Sequence, residues 1–172
     1  MQGIKSVIFF VALCWASFTL QSVLPTVNYG IQPRTVHGLI GIVTSPFLHG
    51  SLQHLIANSG GLIIFGLIFG LLERKNAGRI IGSIILIQGT LTWIFARDGN
   101  HIGASGLVFG LFGYLLCLGY FQKKVLYFFV SLFVAITYGS LIFGILPLTR
   151  GVSWEAHLFG LFAGGINAKY KV

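Results

Sequence analysis

Acidic residues are almost missing. Among 172 residues only three are Asp or Glu, namely Glu73, Asp98 and Glu155. Charge of either sign is scarce too, at 8% of residues, against 55% hydrophobic and a mean hydropathy of +0.89. A soluble domain of this size cannot cover its surface with so little charge. The chain therefore reads as an all-α, multi-pass membrane protein, one domain over residues 1–172. The shortage of acids also removes chemistries. A pair of intramembrane aspartates is impossible, because Asp98 is the only aspartate and lies in a loop. A Ser-His-Asp triad lacks an evident buried acid. Cysteine is limited to Cys14 and Cys117, both inside apolar runs, which reads as packing rather than a disulfide. There is no Cys/His spacing for a metal and no HExxH string, so no metal or cofactor is expected. The net charge of +8 would suggest nucleic acid in a soluble chain. Here the basic residues punctuate apolar runs, so the bilayer is the expected partner and nucleic acid is not.

Six apolar runs are long enough to be transmembrane helices. They run from Val7 to Leu24, Ser51 to Leu72, Ile80 to Ala96, Ser105 to Phe121, Val125 to Leu146 and Trp154 to Ala168. The first follows Lys5 and resembles a signal peptide, but it is long and lacks a small-x-small cleavage site. Pro25 to Leu48 is too broken by Gly, Pro and Thr for a span and too apolar for a free linker, so an interfacial first loop is expected. Six spans put both termini on one side. That side collects Lys5, Arg74, Lys75, Arg79, Lys123, Lys124, Lys169 and Lys171, and the other only Arg34, Arg97 and Arg150. The bias assigns both termini to the cytoplasm of a multi-pass membrane protein.

Polar residues inside spans are costly and mark candidate sites. Asn100 to Gly110 forms a Gly-rich loop that delivers Ser105 to the mouth of the fourth span. A serine there has unpaired N–H groups and the positive end of the helix dipole around it. That suits an oxyanion, and it equally suits an ordinary N-cap. His54 and Asn58 lie four apart, on one face of the second span. His157 opens the sixth span, with Gly160 and Gly164 below it on the same face. Gly106, Gly110 and Gly113 make a similar stripe on the fourth span. Small faces allow close helix approach, so the fourth and sixth spans should pack together, Gly110 against Gly160, and bring Ser105 toward His157. Taken singly, each of these polar residues fits a structural hydrogen bond as well as a chemical role. His37 and His49 read as structural, Gln88 as bonding between helices, His101 as solvated or loop-fixing, and Phe109 as core or as a ring beside an imidazole. Once metal, aspartyl and triad chemistry are set aside, a Ser105–His157 dyad remains, with His54 and Asn58 as oxyanion donors.

Three strings then resemble the rhomboid family of intramembrane serine proteases. His49-Gly50-Ser51-Leu52-Gln53-His54-Leu55-Ile56-Ala57-Asn58 is similar to its HxxxxHxxxN, Gly103-Ala104-Ser105-Gly106 to its GxSG, and His157-Leu158-Phe159-Gly160-Leu161-Phe162-Ala163-Gly164 to its HxxGxxxG. They occur in order and on the matching spans. The resemblance implies a six-helix bundle, Ser105 as nucleophile and His157 as general base. His54, Asn58 and the Ser105 backbone would form the oxyanion site. It implies a serine endopeptidase that cleaves single-span or polytopic membrane-protein substrates near the outer ends of their spans, without a cofactor. Phe128, Phe129 and Phe133 would form a lateral gate, and Leu146 to Ser153 a cap. The alternative is a non-catalytic binder or chaperone of membrane proteins on the same fold. One departure is evident: where many members carry a Trp-Arg pair in the first loop, this chain reads Leu39-Ile40-Gly41-Ile42.

Overall fold

A computed structural model describes residues 2–24, 29–148 and 151–170. The expected start of the first loop at Pro25, part of the expected cap (Thr149, Arg150) and the terminal marker Lys171 lie outside the described residues. The elements in order are α1 (Gln2–Gln21), α2 (Gly38–Thr44) with a 3-10 turn at Ser45–Phe47, α3 (Leu52–Leu72), α4 (Ala77–Phe95), α5 (Ser105–Gln122), α6 (Val125–Tyr138) running into a 3-10 segment at Gly139–Ile145, and α7 (Trp154–Tyr170). Among the described residues the only β pairing is one isolated antiparallel bridge, between Ile31 and His101. Among the described residues, five helical stretches are long and apolar enough to cross a membrane. The sixth expected span, α7, has 17 residues, about 26 Å at the helical rise. This is an all-helical integral membrane protein.

The bundle is built around α5, whose residues are buried without interruption from Gly106 to Leu115. Lipid tails are as apolar as leucine, so helices gain little by hiding apolar faces from them; close packing and interhelical hydrogen bonds hold the bundle instead. Glycine supplies the packing. A Cβ on Gly160 of α7 would overlap the carbonyl oxygen of Gly106, and one on Gly164 would overlap that of Gly110. The contact expected between Gly110 and Gly160 is present but looser, with 3.4 Å between the Cβ position of Gly110 and the Gly160 oxygen. The tightest pairings are thus Gly106 with Gly160 and Gly110 with Gly164, one turn from the expected register. On the other side of α5, a Cβ on Gly61 of α3 would stand 2.6 Å from a Val108 methyl.

Hydrogen bonds then fix the ends. Tyr114 of α5 donates its hydroxyl to buried Glu73 at 2.7 Å. Gln122 donates to the Ala168 carbonyl at 2.8 Å, tying the ends of α5 and α7. Trp15 of α1 donates to Ser59 of α3 at 3.0 Å.

The first loop is folded rather than free. Arg34 donates to the carbonyls of Ile94 and Ala96 at the end of α4 and pairs with Asp98. Trp93 of α4 donates back to the Thr35 carbonyl at 2.8 Å. The loop is therefore anchored by an arginine of its own and by a tryptophan of α4 rather than by an adjacent Trp-Arg pair. Gln88 is buried against Gly106, and among the described residues its Oε1 has no hydrogen-bond partner.

Candidate active site

Ser105 is the first residue of α5, with Ala104 in the N-cap position and no side-chain cap. The hydroxyl is thus free of the N-cap role. The first-turn N–H groups of α5 lack intrahelical acceptors, as in any helix. The loop before Ser105 is held from outside. His101 exchanges both backbone hydrogen bonds with Ile31, each 2.9 Å, and Gly103 N–H donates to the Ser45 carbonyl at 2.9 Å. The first loop thus forms the template for the serine loop. Gly103 has φ +114, which L side chains rarely adopt, and a Cβ there would lie 2.6 Å from His54 Nε2 and 3.2 Å from Asn58 Nδ2. Only glycine lets the serine loop settle onto these two side chains.

His54 and Asn58 are aimed by the start of α3. The Ser51 side chain caps that helix by accepting the His54 N–H at 3.1 Å. The i, i+4 spacing then puts Asn58 one turn below His54. Asn58 is buried, and among the described residues its Nδ2 has no hydrogen-bond partner. A buried donor without an acceptor is costly, and an arriving anionic oxygen would satisfy it. The His49 ring lies against His54, with centroids 5.1 Å apart and an interplanar angle of 65°. Burial first, and His54 second, push the His49 imidazole down to about 4, against an opposing effect of the Phe47 backbone. His49 is therefore neutral at physiological pH.

His157 is buried, near the start of α7. Its Nδ1 lies 2.8 Å from the Gly144 carbonyl oxygen. A carbonyl only accepts, so the proton sits on Nδ1 and Nε2 keeps a free lone pair. Phe109, one turn into α5, stacks on the imidazole, with centroids 4.1 Å apart and planes 6° from parallel. Of the two readings open for Phe109, the structure shows the ring beside the imidazole. Gly144 is needed on the far side, because a Cβ there would stand 2.6 Å from the Phe109 ring.

The segments that carry Ser105 and His157 are joined at the mouth. Buried Glu155, in the first turn of α7, accepts the Arg97 N–H at 3.3 Å and pairs with the Arg97 guanidinium at 3.5 Å. Arg97 also donates to the Val152 carbonyl. His101 Nε2 donates to the Arg97 carbonyl at 2.9 Å, and its Nδ1 accepts from Ser153 at 2.6 Å. His101 is thus loop-fixing and buried rather than solvated. Glu155 is a buried acid, but it faces Arg97 while Gly144 holds the imidazole, so among the described residues no carboxylate is hydrogen-bonded to the histidine. Its signal was available: one of only three acids sits two residues before the candidate histidine. Gly144 acts through its backbone oxygen, which no residue type announces.

Ser105, His157, His54 and Asn58 all line one cavity of about 1310 Å³. It is walled by the start of α3, the Arg97–Ile102 loop, Pro147–Leu148 and Gly151–Ser153. Among the described residues neither the Ser105 hydroxyl nor His157 Nε2 has a hydrogen-bond partner, so the two face one space without a direct bond. Such contacts are commonly long before substrate arrives. Of the expected gate residues, Phe128, Phe129 and Phe133 of α6 are exposed.

A glycine-packed membrane helical bundle with a serine, a histidine and two amide or imidazole donors around one cavity defines a class of protein, and comparison with known sequences names it. The profile of the Rhomboid domain matches residues 36–171, and the chain belongs to the rhomboid family. An uncharacterised protein of Mycobacterium tuberculosis is 34% identical over 148 residues, 81% of this chain and 62% of that one. One of Mycobacterium leprae is 31% identical over 150 residues, 82% of this chain and 59% of the relative. RHOMBOID-like protein 4 of Arabidopsis thaliana is 33% identical over 133 residues, 72% of this chain and 32% of the plant protein. The chain thus spans about three fifths of the length of its mycobacterial relatives.

Proposed function

We propose that this single-domain chain is an intramembrane serine endopeptidase acting on transmembrane segments of other membrane proteins. Ser105 is the nucleophile in this reading. His157 Nε2 takes the hydroxyl proton as the serine attacks the scissile carbonyl, and returns it to the leaving amine. The oxyanion is received by the Ser105 N–H, Asn58 Nδ2 and the His54 ring. Water then attacks the acyl-enzyme, with the same histidine as base. The observation that carries the reading is that one cavity brings together an imidazole whose proton is fixed on the far nitrogen and a buried amide donor with no acceptor among the described residues. Membership of the family supports it.

The basic residues support an orientation with both termini in the cytoplasm and Ser105 opening outward. The open Ser105–His157 pair favours a second reading, a non-catalytic binder of membrane proteins. One experiment separates the two. A serine-directed fluorophosphonate should label the purified protein, and Ser105→Ala should abolish both labelling and cleavage of a single-span substrate. His157→Ala should do the same, and the double variant should be no worse, because residues acting as one unit are not additive. A folded protein that neither labels nor cleaves, yet captures membrane proteins, is the binder.

A further inference from the structure

The end of the bundle opposite the candidate site carries a second cavity that the proposed chemistry does not use. Gly3 packs on Gly70 so closely that a Cβ would lie 2.5 Å from the Gly70 oxygen, which pins the start of α1 to the end of α3. Lys5 is thereby set beside Arg74, Lys75 and Arg79, and the four line one pocket of about 360 Å³. Three elements converge there: the first turn of α1, the α3–α4 turn and the first turn of α4.

The pocket holds four cations and no acid among its lining residues. The two ion pairs seen among the described residues, Arg34 with Asp98 and Arg97 with Glu155, are both at the other end. Glu73 is near in sequence, but it is buried and engaged by Tyr114. The start of α4 adds to the imbalance. Asn76 provides no side-chain cap, and the first turn contains no acid. It contains Arg79 instead, at the end of a helix where positive charge is disfavoured. Gly78 leaves the backbone of that turn open, with nothing within 4 Å of its Cβ position. Four like charges drawn into one pocket repel each other, and an anion seated among them would offset that.

We propose that this pocket binds a phosphate ester, and that its source is the headgroup of an anionic phospholipid. The depth supports the lipid source: the pocket lies at the ends of three helices long enough to span, where headgroups sit. Basic pockets between membrane helices suit such headgroups. Lys123 and Lys124, at the α5–α6 turn, carry charge at the same end of the bundle but line no part of the pocket. They distinguish a built site from general attraction to a basic face.

The experiment uses the full chain in an uncharged detergent. Native mass spectrometry reads retained lipid, and thermal unfolding reads stabilisation, with phosphatidylglycerol, phosphatidylcholine or inorganic phosphate added. Phosphatidylglycerol should be retained and should raise the unfolding temperature, while phosphatidylcholine should do neither. Lys5→Gln with Arg79→Gln should weaken phosphatidylglycerol binding roughly tenfold or more. Arg74→Gln with Lys75→Gln is the second variant should the first fold poorly. The charge-matched Lys123→Gln with Lys124→Gln should bind as the unaltered chain does. Stabilisation by inorganic phosphate alone, without lipid retention, keeps the phosphate site and overturns the lipid source. Absence of binding by either anion, or equal loss in the pocket and control variants, overturns the site. None of these readouts depends on proteolysis.

Discussion

The phenyl ring of Phe109 stacks on the imidazole of His157, with centroids 4.1 Å apart and planes 6° from parallel. The stack fixes one face of the ring while the Gly144 carbonyl fixes its Nδ1 edge. Between them they leave Nε2 as the free atom in the cavity.

That relationship gives the first prediction. Phe109→Leu removes the stack and should lower fluorophosphonate labelling of Ser105 by up to about tenfold, the scale of one aromatic pair. Gly144→Ala should act in the same direction, because its Cβ would meet the Phe109 ring at 2.6 Å. Detergent unfolding should show both variants folded. Unchanged labelling in both would mean that the imidazole is positioned by something else.

The bridge between Arg97 and Glu155 gives the second. Glu155→Gln keeps an acceptor for the Arg97 N–H and loses only an ion pair whose arginine side chain is 47% exposed. Such pairs contribute at most about 1 kcal/mol, so the loss of labelling should stay within severalfold. Glu155→Ala removes the acceptor as well and frees the serine loop from α7. It should cost clearly more, mainly in kcat rather than KM on a cleavable substrate. Equal behaviour of the two variants would separate the bridge from catalysis.

The glycine contacts give the third. Gly160→Ala already places a Cβ on the Gly106 carbonyl, which is backbone and cannot step aside. The helices must separate, and a displacement near 1 Å at the dyad can lower the rate about 10²-fold. Gly160→Val should be worse than Gly160→Ala. The readout is labelling of Ser105 beside thermal unfolding, and wild-type labelling in Gly160→Val would show that this interface does not set the dyad.

The fourth concerns pH. His49 titrates near 4 in the folded chain against an ordinary value of 6.5. Its folded value is depressed, so protonation favours the unfolded chain between those values. The contribution is complete above about pH 6.5 and is lost as pH falls through about 4, to a ceiling of about 3 kcal/mol. Unfolding temperature in detergent should therefore drop over that window, and His49→Gln should flatten the drop. An identical pH profile in the variant would remove His49 as the source.

Much of the bundle is legible in the chain because the bilayer sets a length, and apolar runs of that length declare themselves. Helix starts and stops come within a few residues: Ser105 opens α5 as expected, while α1 begins at Gln2 rather than Val7. The fifth run hides a change of state. Its apolar sequence continues to Leu146, but the α-helix stops at Tyr138 and the rest is 3-10. Hydropathy cannot report that change, and it is what carries the Gly144 oxygen to His157. The glycine faces are legible as stripes, but their register is not. A stripe repeats every turn, so shifting one helix by a turn leaves the pattern intact, and only the packed pair shows Gly160 on Gly106.

The kind of molecule is written in the chain: a membrane-embedded helical bundle with Ser105, His54, Asn58 and His157 as its candidate chemistry. Composition fixes the solvent, and polar residues in apolar runs are too costly to be incidental. Tertiary structure alone decided how those residues meet. It put His54 and Asn58 against Gly103, stacked Phe109 on His157, and made Glu155 a buried tie to Arg97. The physical reason is that these contacts join segments far apart in the chain through backbone atoms, ring faces and helix offsets. None of those quantities is a property of a residue type or of its spacing along one helix.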